Sequence, residues 1–486
     1  MAKQDSAAKE GAPASSLLKE VLPEPKSLLR LVGFAFIQCW TLLLFSSSAF
    51  SGSGEPGSSP YLHWFSSVGS ILCAFAVLLG ATRLIPLSRH QLLNFWVGAA
   101  MSAGGLLVIL GTYSVVPAFL SYVGFFIAGA GTAWIFLCWQ EYVSTQGAAK
   151  AIGALLVSSV AAAVLYLIIC LLPINIASLC CLTLPPLAAL LLRPGQGTRF
   201  YHTNNVFSGT KALLADIAHD VSPRLMTVCC LVSCAYGCLR SYWPFADFDS
   251  SFLLVPAISL AAAGIISCAI VVFTRGGGLG GALVAGIVLC AAGVAALIVS
   301  RMHAAGVPGA LGSCASNAVY YAVWLILLER SQVRKLPVLG LLASLWMANY
   351  IGILAGQIIG ALAGPDMGAV VGYVAMACLL AAALVYAGVR GGQQPMGLSE
   401  ETLREPAVSK SDEAALALAA RCGLSARETE IMLLWITGHT ASYLEEKLFI
   451  SRNTVKTHLR HIYRKTGVSD RDALLNMVEA QKNSLR

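Results

Sequence analysis

One stretch near the end of the chain decides how that end folds. It reads LSARETEIMLLWITG at 424–438, TASYLEEKLFIS at 440–451 and RNTVKTHLRHIYRKTGVSDRDALL at 452–475. Ser425 followed three residues later by Glu428 is typical of a capping box, and Ser451 is placed to cap the third helix. Gly438 and Gly467 stand where helices are expected to end. The pattern predicts a small domain of four helices.

The third helix of this stretch has an apolar and a basic side. Val455, Leu459 and Ile462 recur at helical spacing, so we expect them to face inward. A helix that carries a basic stripe on its other side suits the major groove of duplex DNA. The basic residues on that side are Arg452, Lys456 and Arg460, with Arg464 one turn further on.

The stretch resembles the LuxR-type (GerE-like) helix-turn-helix domain of bacterial transcription regulators. The residues that carry the resemblance are Leu424, Arg427, Glu428, Glu430, Gly438, Leu448, Ile450, Ser451, Thr454, Val455, Lys456, His458, Ile462, Lys465, Gly467 and Val468. The resemblance implies that Lys456, Thr457 and Arg460 approach base edges. The phosphate contacts that it implies are Arg452, Thr454 and Arg464. Together with Asn453, these residues are the candidate DNA contacts. The alternative from the residues alone is a basic helical module that binds an acidic protein.

The same resemblance implies the partners of this domain. These are double-stranded DNA and a second copy of the chain, with the last helix, Asp470 to Gln481, pairing across the two-fold axis of a homodimer. Half-sites on the operator would then lie about one helical turn apart.

The composition of the whole chain indicates a membrane protein. Hydrophobic residues make up 57% of it and charged residues 12%, and the mean hydropathy is +0.74. A soluble fold of this size does not tolerate such values, so membrane lipid is a further expected partner. The first residues lack a short apolar segment with a cleavage site, and we expect no removable signal peptide.

Apolar runs long enough to cross a bilayer as helices recur along most of the chain. The twelve predicted spans are 28–47, 61–81, 92–112, 118–138, 150–170, 174–192, 225–245, 252–273, 279–299, 307–328, 336–360 and 368–388. A polar stretch from Arg193 to Arg224 splits them into two groups of six. The predicted fold class is therefore all-α, a polytopic membrane bundle followed by the small helix-turn-helix domain.

The basic residues predict the orientation of the spans. Lys and Arg concentrate in cytoplasmic loops near span ends, and the loops on one side hold Lys19, Lys26, Arg30, Arg83, Arg89, Lys150, Arg193, Arg199, Lys211, Arg224, Arg275, Arg330, Arg334, Lys335 and Arg390. The loops on the other side hold only Arg301. We therefore expect a multi-pass protein of the cell (inner) membrane with both termini in the cytoplasm, where a DNA-binding domain has to be.

The domain organisation follows from these features. We expect a cytoplasmic tail at 1–26, a transmembrane sensor domain at 27–390 with a central loop at 193–224, a flexible linker at 391–420 and a DNA-binding domain at 421–486. Within the linker segment, DEAALALAAR before Cys422 favours a short lead-in helix. The arrangement of six plus six spans resembles the major facilitator superfamily, in which two bundles surround a cavity at the midplane.

Polar and aromatic residues inside the spans are the candidate ligand contacts. Arg240 is the first of them, because an ionisable residue in a bilayer is costly and usually faces a cavity. The complete candidate set is Gln38, Tyr236, Arg240, Trp243, Asn317, Tyr321, Trp346, Asn349, Tyr350 and Gln357. Such a site suits a small anionic or aromatic effector. Alternatively, Arg240 snorkels or pairs with an Asp, and the aromatic residues anchor and pack the spans.

No catalytic signature is visible. The chain has no Walker loop, nucleophile elbow, HExxH helix or metal-ligand cluster, so we expect no catalytic residue, metal or cofactor, and no enzyme activity. The leading hypothesis is a one-component membrane regulator that senses a small molecule and binds operator DNA. The alternatives are a transporter with an attached DNA-binding regulatory domain, and a purely structural tether.

Overall fold

The computed structural model describes residues 25–46, 62–84, 86–192, 223–241, 254–273, 279–300, 306–334, 338–364, 367–390, 410–436, 444 and 452–484. In these residues every regular element is a helix, and they divide into two compact units at the boundary between 403 and 404. The first unit contains α1 (Pro25–Ser46), α2 (Leu62–Leu84), α3 (Gln91–Thr112), α4 (Ala118–Ser144), α5 (Ala148–Cys170), α6 (Ile174–Leu191), α7 (Pro223–Ser241), α8 (Leu254–Phe273), α9 (Leu279–Ser300), α10 (Gly306–Arg334), α11 (Val338–Ala363) and α12 (Gly368–Arg390). The second contains α13 (Lys410–Arg421), α14 (Ala426–Ile436), α15 (Arg452–Thr466) and α16 (Arg471–Ser484).

The helices of the first unit coincide with the predicted spans. Among the described residues, eight helices are long and apolar enough to cross a membrane, and α1, α8 and α9 contain shorter apolar segments. Helix α7 is less apolar because it carries Arg224 and Arg240. Helices α4 and α10 each extend six residues past the predicted end, to 144 and 334 instead of 138 and 328. The last turns of α4 contain polar side chains, which is why the predicted span ended earlier. These turns are buried within the protein, and the helix continues through them to Ser144.

The first unit repeats one arrangement of six helices. In the first half α2 packs on α4, α3 on α4 and α6, and α1 on α5 and α6. The second half has the same neighbours six helices later: α8 packs on α10, α9 on α10 and α12, and α7 on α11 and α12. The halves meet through two helix pairs, α5 with α8 and α11 with α2. These two pairs are equivalent, because α11 is the counterpart of α5 and α8 is the counterpart of α2. The two groups of six that the sequence predicts are therefore structural repeats.

The most extensive helix pair, α7 with α11, depends on glycine. Gly352, Gly356 and Gly360 are spaced four residues apart on α11, and a Cβ at Gly356 would lie 2.0 Å from the carbonyl oxygen of Cys234. On α7, a Cβ at Gly237 would lie 2.3 Å from the carbonyl oxygen of Ile353. Small residues at this spacing let two helix backbones approach closely in a membrane protein.

The second unit has its own hydrophobic core. Its members come from every described helix of the unit and include Leu418 on α13, Ile431 on α14, Ile462 on α15 and Leu474 on α16. Helix α13 packs on α16 and α14. This helix starts at Lys410, so the last part of the segment expected as linker is helical because its apolar residues complete this core.

Candidate nucleic-acid interface and candidate ligand cavity

The capping box predicted for the second unit is present. The backbone N–H of Ser425 donates to Oε2 of Glu428 at 2.7 Å, and the backbone N–H of Glu428 donates to Oγ of Ser425 at 3.2 Å. The two bonds satisfy donors that α14 leaves unpaired at its first turn. Gly467 follows α15 with φ of 74°, as expected of a helix-ending glycine. Ser451 and Gly438 lie outside the described residues.

Helix α15 presents the predicted inward and outward faces. Val455, Leu459 and Ile462 are buried. The candidate DNA contacts that the structure places on the surface are Asn453, Lys456, Thr457, Arg460 and Arg464, whereas Thr454 is half-buried. Arg452 starts the helix, and its side chain is not among those described.

A shallow basic groove runs along this surface. Its lining residues are Lys456, Leu459, Arg460, Tyr463, Arg464 and Ser469. The side chain of Tyr463 is held by a hydrogen bond from α14, because the indole N–H of Trp435 donates to its hydroxyl at 2.7 Å. The guanidinium of Arg471 lies 5.1 Å from the centre of the Trp435 ring. The groove therefore carries three cationic side chains, Lys456, Arg460 and Arg464, beside a tyrosine that is held in place by a hydrogen bond. Such an arrangement attracts phosphate.

Glu428 ties α15 to the first turn of α14. Its side chain is 6% exposed, and Nζ of Lys465 donates to its Oε2 at 2.7 Å. Lys465 also donates to the carbonyl oxygen of Gly423 at 3.1 Å. The Lys465 ammonium and the Ser425 N–H lower the pKa of Glu428 from 4.5 to about 2. The carboxylate therefore joins the capping box and the basic helix at one point.

This ion pair predicts how the stability of the second unit depends on pH. Because the pKa of Glu428 is lower in the folded state, its contribution is present above about pH 4.5 and is lost as the pH falls towards about 2. We expect Glu428→Gln to cost about 1–2 kcal/mol at neutral pH and to remove most of that acid dependence. Urea unfolding of the fragment 404–486 at several pH values measures both. Glu430→Gln is the matched control, because that carboxylate pairs with Arg427 but is 51% exposed; equal losses in the two variants would refute the prediction.

Helix α16 is capped by Asp470, whose Oδ1 accepts the backbone N–H of Ala473 at 2.8 Å. That bond lowers the pKa of Asp470. Leu474 and Val478 face the core, while the side chains exposed along the helix are Asp472, Asn476, Glu479 and Ala480. A dimer contact through the predicted segment would therefore use a mainly polar surface, so pairing through α16 stays a prediction.

A cavity of about 130 Å³ lies inside the first unit. Its lining residues are Thr41, Leu42, Phe136, Tyr236, Arg240, Pro256, Ser313, Ser316, Asn317, Tyr320, Tyr321, Trp346, Asn349, Tyr350 and Ile353. Seven of the ten candidate ligand contacts are among them: Tyr236, Arg240, Asn317, Tyr321, Trp346, Asn349 and Tyr350. The structure thus brings residues of α7, α10 and α11 together around one space, with α1, α4 and α8 completing the wall.

The other three candidates lie elsewhere. Gln38 is buried, and its Nε2 donates to Oγ of Ser158 at 2.9 Å, so it joins α1 to α5. Gln357 is buried in α11 and does not line the cavity. Trp243 lies outside the described residues. Tyr320, which belongs to the same polar-aromatic stripe of the tenth span as Asn317 and Tyr321, also lines the cavity. Sequence reasoning missed the lining residues Thr41, Leu42, Phe136, Pro256, Ser313, Ser316 and Ile353, which are either apolar or small hydroxyl residues of a kind common in spans.

The aromatic wall is centred on Trp346. Its ring stacks on Tyr350 with centroids 4.9 Å apart and an interplanar angle of 25°. Phe136 lies 4.8 Å away, and Tyr320 meets the indole edge-on at 6.0 Å. Such contacts hold large side chains in fixed positions. The wall is therefore held in shape by contacts among its own side chains.

Two tyrosines of the cavity also join the halves of the unit. Nε2 of Gln140 on α4 donates to the hydroxyl of Tyr320 on α10 at 2.8 Å. The hydroxyl of Tyr321 lies 3.3 Å from Oγ of Ser159 on α5. One turn beyond Tyr320, the indole N–H of Trp324 donates to Oγ of Ser144 at 3.1 Å. Contacts between the halves thus include side chains that line the cavity.

A separate polar network lies where α2 is connected to α3. Glu141 is buried at the end of α4, and its Oε2 accepts the backbone N–H of Leu87 at 2.7 Å. Asn94 donates to the carbonyl oxygen of Leu87 at 3.1 Å and accepts the indole N–H of Trp134 at 2.8 Å. These polar groups fix a connection between helices and do not line the cavity. Among the described residues, no group of three His, Cys, Asp or Glu side chains is arranged to hold a metal ion.

Comparison with known proteins agrees with the division of the chain into two units. Residues 423–478 match the sequence family described as "Bacterial regulatory proteins, luxR family". No curated protein matches the sequence. Among solved structures, the chain is similar to a bacterial homologue of the iron transporter ferroportin, in an outward-facing state with soaked iron, with a TM-score of 0.52 and 12% identity over 78% of this chain and 99% of that chain.

Two further structures show lower TM-scores. A D-xylose–proton symporter gives 0.49 with 14% identity over 74% of this chain and 96% of its own. A Major Facilitator Superfamily transporter, FucP, in the outward conformation gives 0.43 with 14% identity over 76% of this chain and 98% of its own. At such identities the likeness concerns the fold. The chain combines a multi-pass membrane unit, whose fold is similar to that of the bacterial ferroportin homologue, with a LuxR-family helix-turn-helix domain at residues 423–478.

Proposed function

We propose that this protein is a one-component transcription regulator of the inner membrane. Its first unit binds a small molecule in the cavity, and its second unit binds operator DNA from the cytoplasm, as a homodimer through α16. The observation that carries the proposal is that Tyr320 and Tyr321 both line the cavity and bond to the opposite half of the membrane unit. A ligand that favours one arrangement of these tyrosines shifts the balance between two arrangements of the halves.

The proposal also requires the cytoplasmic orientation that the basic residues predict. Reporter fusions after residue 486 should be active only for the cytoplasmic reporter. A periplasmic signal at that position would be incompatible with DNA binding by the intact protein.

Breaking the hydrogen bond between Gln140 and Tyr320, which joins the halves of the membrane unit, should change DNA occupancy in the absence of any ligand. We expect Tyr320→Phe and Gln140→Ala to shift operator occupancy in the same direction, by a few-fold, because each removes a neutral hydrogen bond worth about 1 kcal/mol. Because both partners form the same bond, the double variant should add little to either single change. Genome-wide mapping of bound DNA in cells measures the occupancy.

Ser344→Ala is the matched control, since among the described residues that hydroxyl bonds within α11 alone, to the carbonyl oxygen of Gly340 at 2.9 Å. The sensing proposal fails if Tyr320→Phe, Gln140→Ala and the double variant all occupy the operator to the same extent as the unchanged protein. Additive effects of Tyr320→Phe and Gln140→Ala would show that the two residues act separately.

The transporter fold favours a second candidate function, a transporter with an attached DNA-binding regulatory domain. Accumulation of a solute in sealed vesicles, lost in Arg240→Gln, would support it. A regulator without transport activity binds the same solute but does not concentrate it.

A further inference from the structure

The cavity of the membrane unit has the donor and acceptor pattern of a site for one class of small molecule. We infer that its ligand is a neutral aromatic amide with a single ring. This inference rests on the proposed sensing function and names the ligand class for that site.

One buried donor in the cavity wall lacks an acceptor. Trp346 lines the cavity and is 3% exposed, and its indole N–H has no acceptor among the described residues. A buried donor without an acceptor is costly, and an acceptor atom on a ligand would satisfy it. The ring contacts with Tyr350 and Phe136 hold the indole in place. The wall therefore favours a ligand with an acceptor such as a carbonyl oxygen.

Two asparagine side chains of the wall add a donor and an acceptor. The Oδ1 of Asn349 accepts the Ser233 hydroxyl at 2.7 Å, which leaves its amide N–H groups to donate. The Nδ2 of Asn317 donates to the carbonyl oxygen of Ser313 at 2.9 Å, which leaves its Oδ1 to accept. The wall therefore presents both kinds of hydrogen-bonding group to a ligand.

A neutral amide matches this pattern better than a carboxylate or a ketone. An amide oxygen can accept from the Trp346 indole and from Asn349, while the amide N–H donates to Oδ1 of Asn317. A carboxylate or a ketone has acceptors but no donor, so either would leave that Oδ1 without a partner. Arg240 also lines the cavity, but it already interacts electrostatically with Tyr350. We therefore assign no ligand contact to its charge.

The aromatic cluster and the volume of the cavity set the shape of the ligand. Neighbouring rings among Trp346, Tyr350, Phe136 and Tyr320 have centroid separations of 4.8–6.0 Å. A flat ligand ring gains offset or edge contacts with such a cluster that a saturated ring does not gain. The volume is about 130 Å³, close to that of an engineered protein cavity of about 150 Å³ that takes up benzene. The space is therefore of the size that one ring needs.

The test measures binding of radiolabelled benzamide to the full chain in lipid nanodiscs, with empty nanodiscs as the blank. Three competitors each lack one feature: benzoate has a charged oxygen in place of the N–H groups, acetophenone keeps the carbonyl but has no donor, and cyclohexanecarboxamide lacks the aromatic ring. We expect benzamide to bind at least about tenfold more tightly than benzoate and acetophenone, and about fivefold more tightly than cyclohexanecarboxamide. Equal or tighter binding of any competitor, or no saturable binding of benzamide, would overturn the inference.

Two variants separate the ligand's acceptor from its donor. Trp346→Phe removes the indole N–H but keeps a ring, so it should weaken benzamide and acetophenone alike, by about tenfold. Asn317→Leu removes the acceptor of the wall, so it should weaken benzamide and leave acetophenone unchanged. Trp96→Phe is the matched control, because Trp96 is 62% exposed on α3 and does not line the cavity.

Two results with folded variants contradict the inference. One is an unaltered benzamide affinity in Trp346→Phe, and the other is an unaltered preference for benzamide over acetophenone in Asn317→Leu. If a variant fails to fold, the comparison of ligands on the unchanged protein decides the matter.

Failure of this inference is distinguishable from failure of the proposed function. If benzamide binds with the expected selectivity but does not alter operator occupancy, the ligand class stands and sensing fails. If Tyr320→Phe alters occupancy but benzamide does not bind, sensing stands and the ligand class is wrong.

Discussion

Removing two positive charges from α15 is expected to abolish specific operator binding. Lys456 and Arg460 are exposed, lie one turn apart and line the basic groove. A side chain that reads a base contributes about 1–3 kcal/mol of discrimination. We expect Lys456→Ala and Arg460→Ala to cost this much each, and the double variant to cost roughly their sum if the two contacts are independent. The double variant should then bind operator no better than unrelated DNA.

The measurement is fluorescence anisotropy with the full chain in nanodiscs, on an operator found by genome-wide mapping and on scrambled DNA, at several salt concentrations. Arg464→Ala should behave differently, weakening both DNAs alike and reducing the salt slope by about one. Arg427→Ala, which removes the same charge from α14, is the control and should change little, because Arg427 pairs with the exposed Glu430 and is not a candidate DNA contact. Unchanged operator preference in the double variant would rule out α15 as the reading helix.

The features that the sequence predicts correctly are those that depend on residues close together in the chain. The spans follow from runs of apolar residues, and the capping box follows from Ser425 and Glu428, which are three residues apart. The buried side of α15 follows from the spacing of Val455, Leu459 and Ile462. Each of these is decided by local hydrogen bonding or by the period of a single helix.

The features that the sequence does not predict depend on pairs far apart in the chain. The bond between Gln140 and Tyr320 joins residues 180 positions apart, so neither residue alone indicates the other. Lys465 looks like one more cation of the basic helix, but it binds the buried Glu428. Gln38 and Gln357 have the residue type expected of a ligand contact, yet neither lines the cavity. Residue type identifies candidates, and only the helix packing selects among them.

Adding a single methyl group at Gly356 is expected to destabilise the membrane unit strongly. The new Cβ would lie 2.0 Å from the carbonyl oxygen of Cys234 and 2.6 Å from the backbone nitrogen of Cys238. Both are backbone atoms of α7, so no side-chain rotation relieves the overlap and the two helices must separate. Overpacking of this kind costs about 1–3 kcal/mol or more. Gly356→Leu should cost more than Gly356→Ala, because its larger side chain must be placed in the same close contact between α7 and α11.

The matched control is a glycine of the same type in open space. Gly281 on α9 has nothing within 4 Å of an added Cβ, and alanine is the better helix former by about 1 kcal/mol. Gly281→Ala should therefore leave the unit unchanged or slightly more stable, while Gly356→Ala lowers its Tm. Thermal unfolding of detergent-solubilised protein, followed by fluorescence-detected size exclusion, measures both. If the two variants melt together, the close approach of α7 and α11 does not limit stability, and the role assigned to Gly352, Gly356 and Gly360 is wrong.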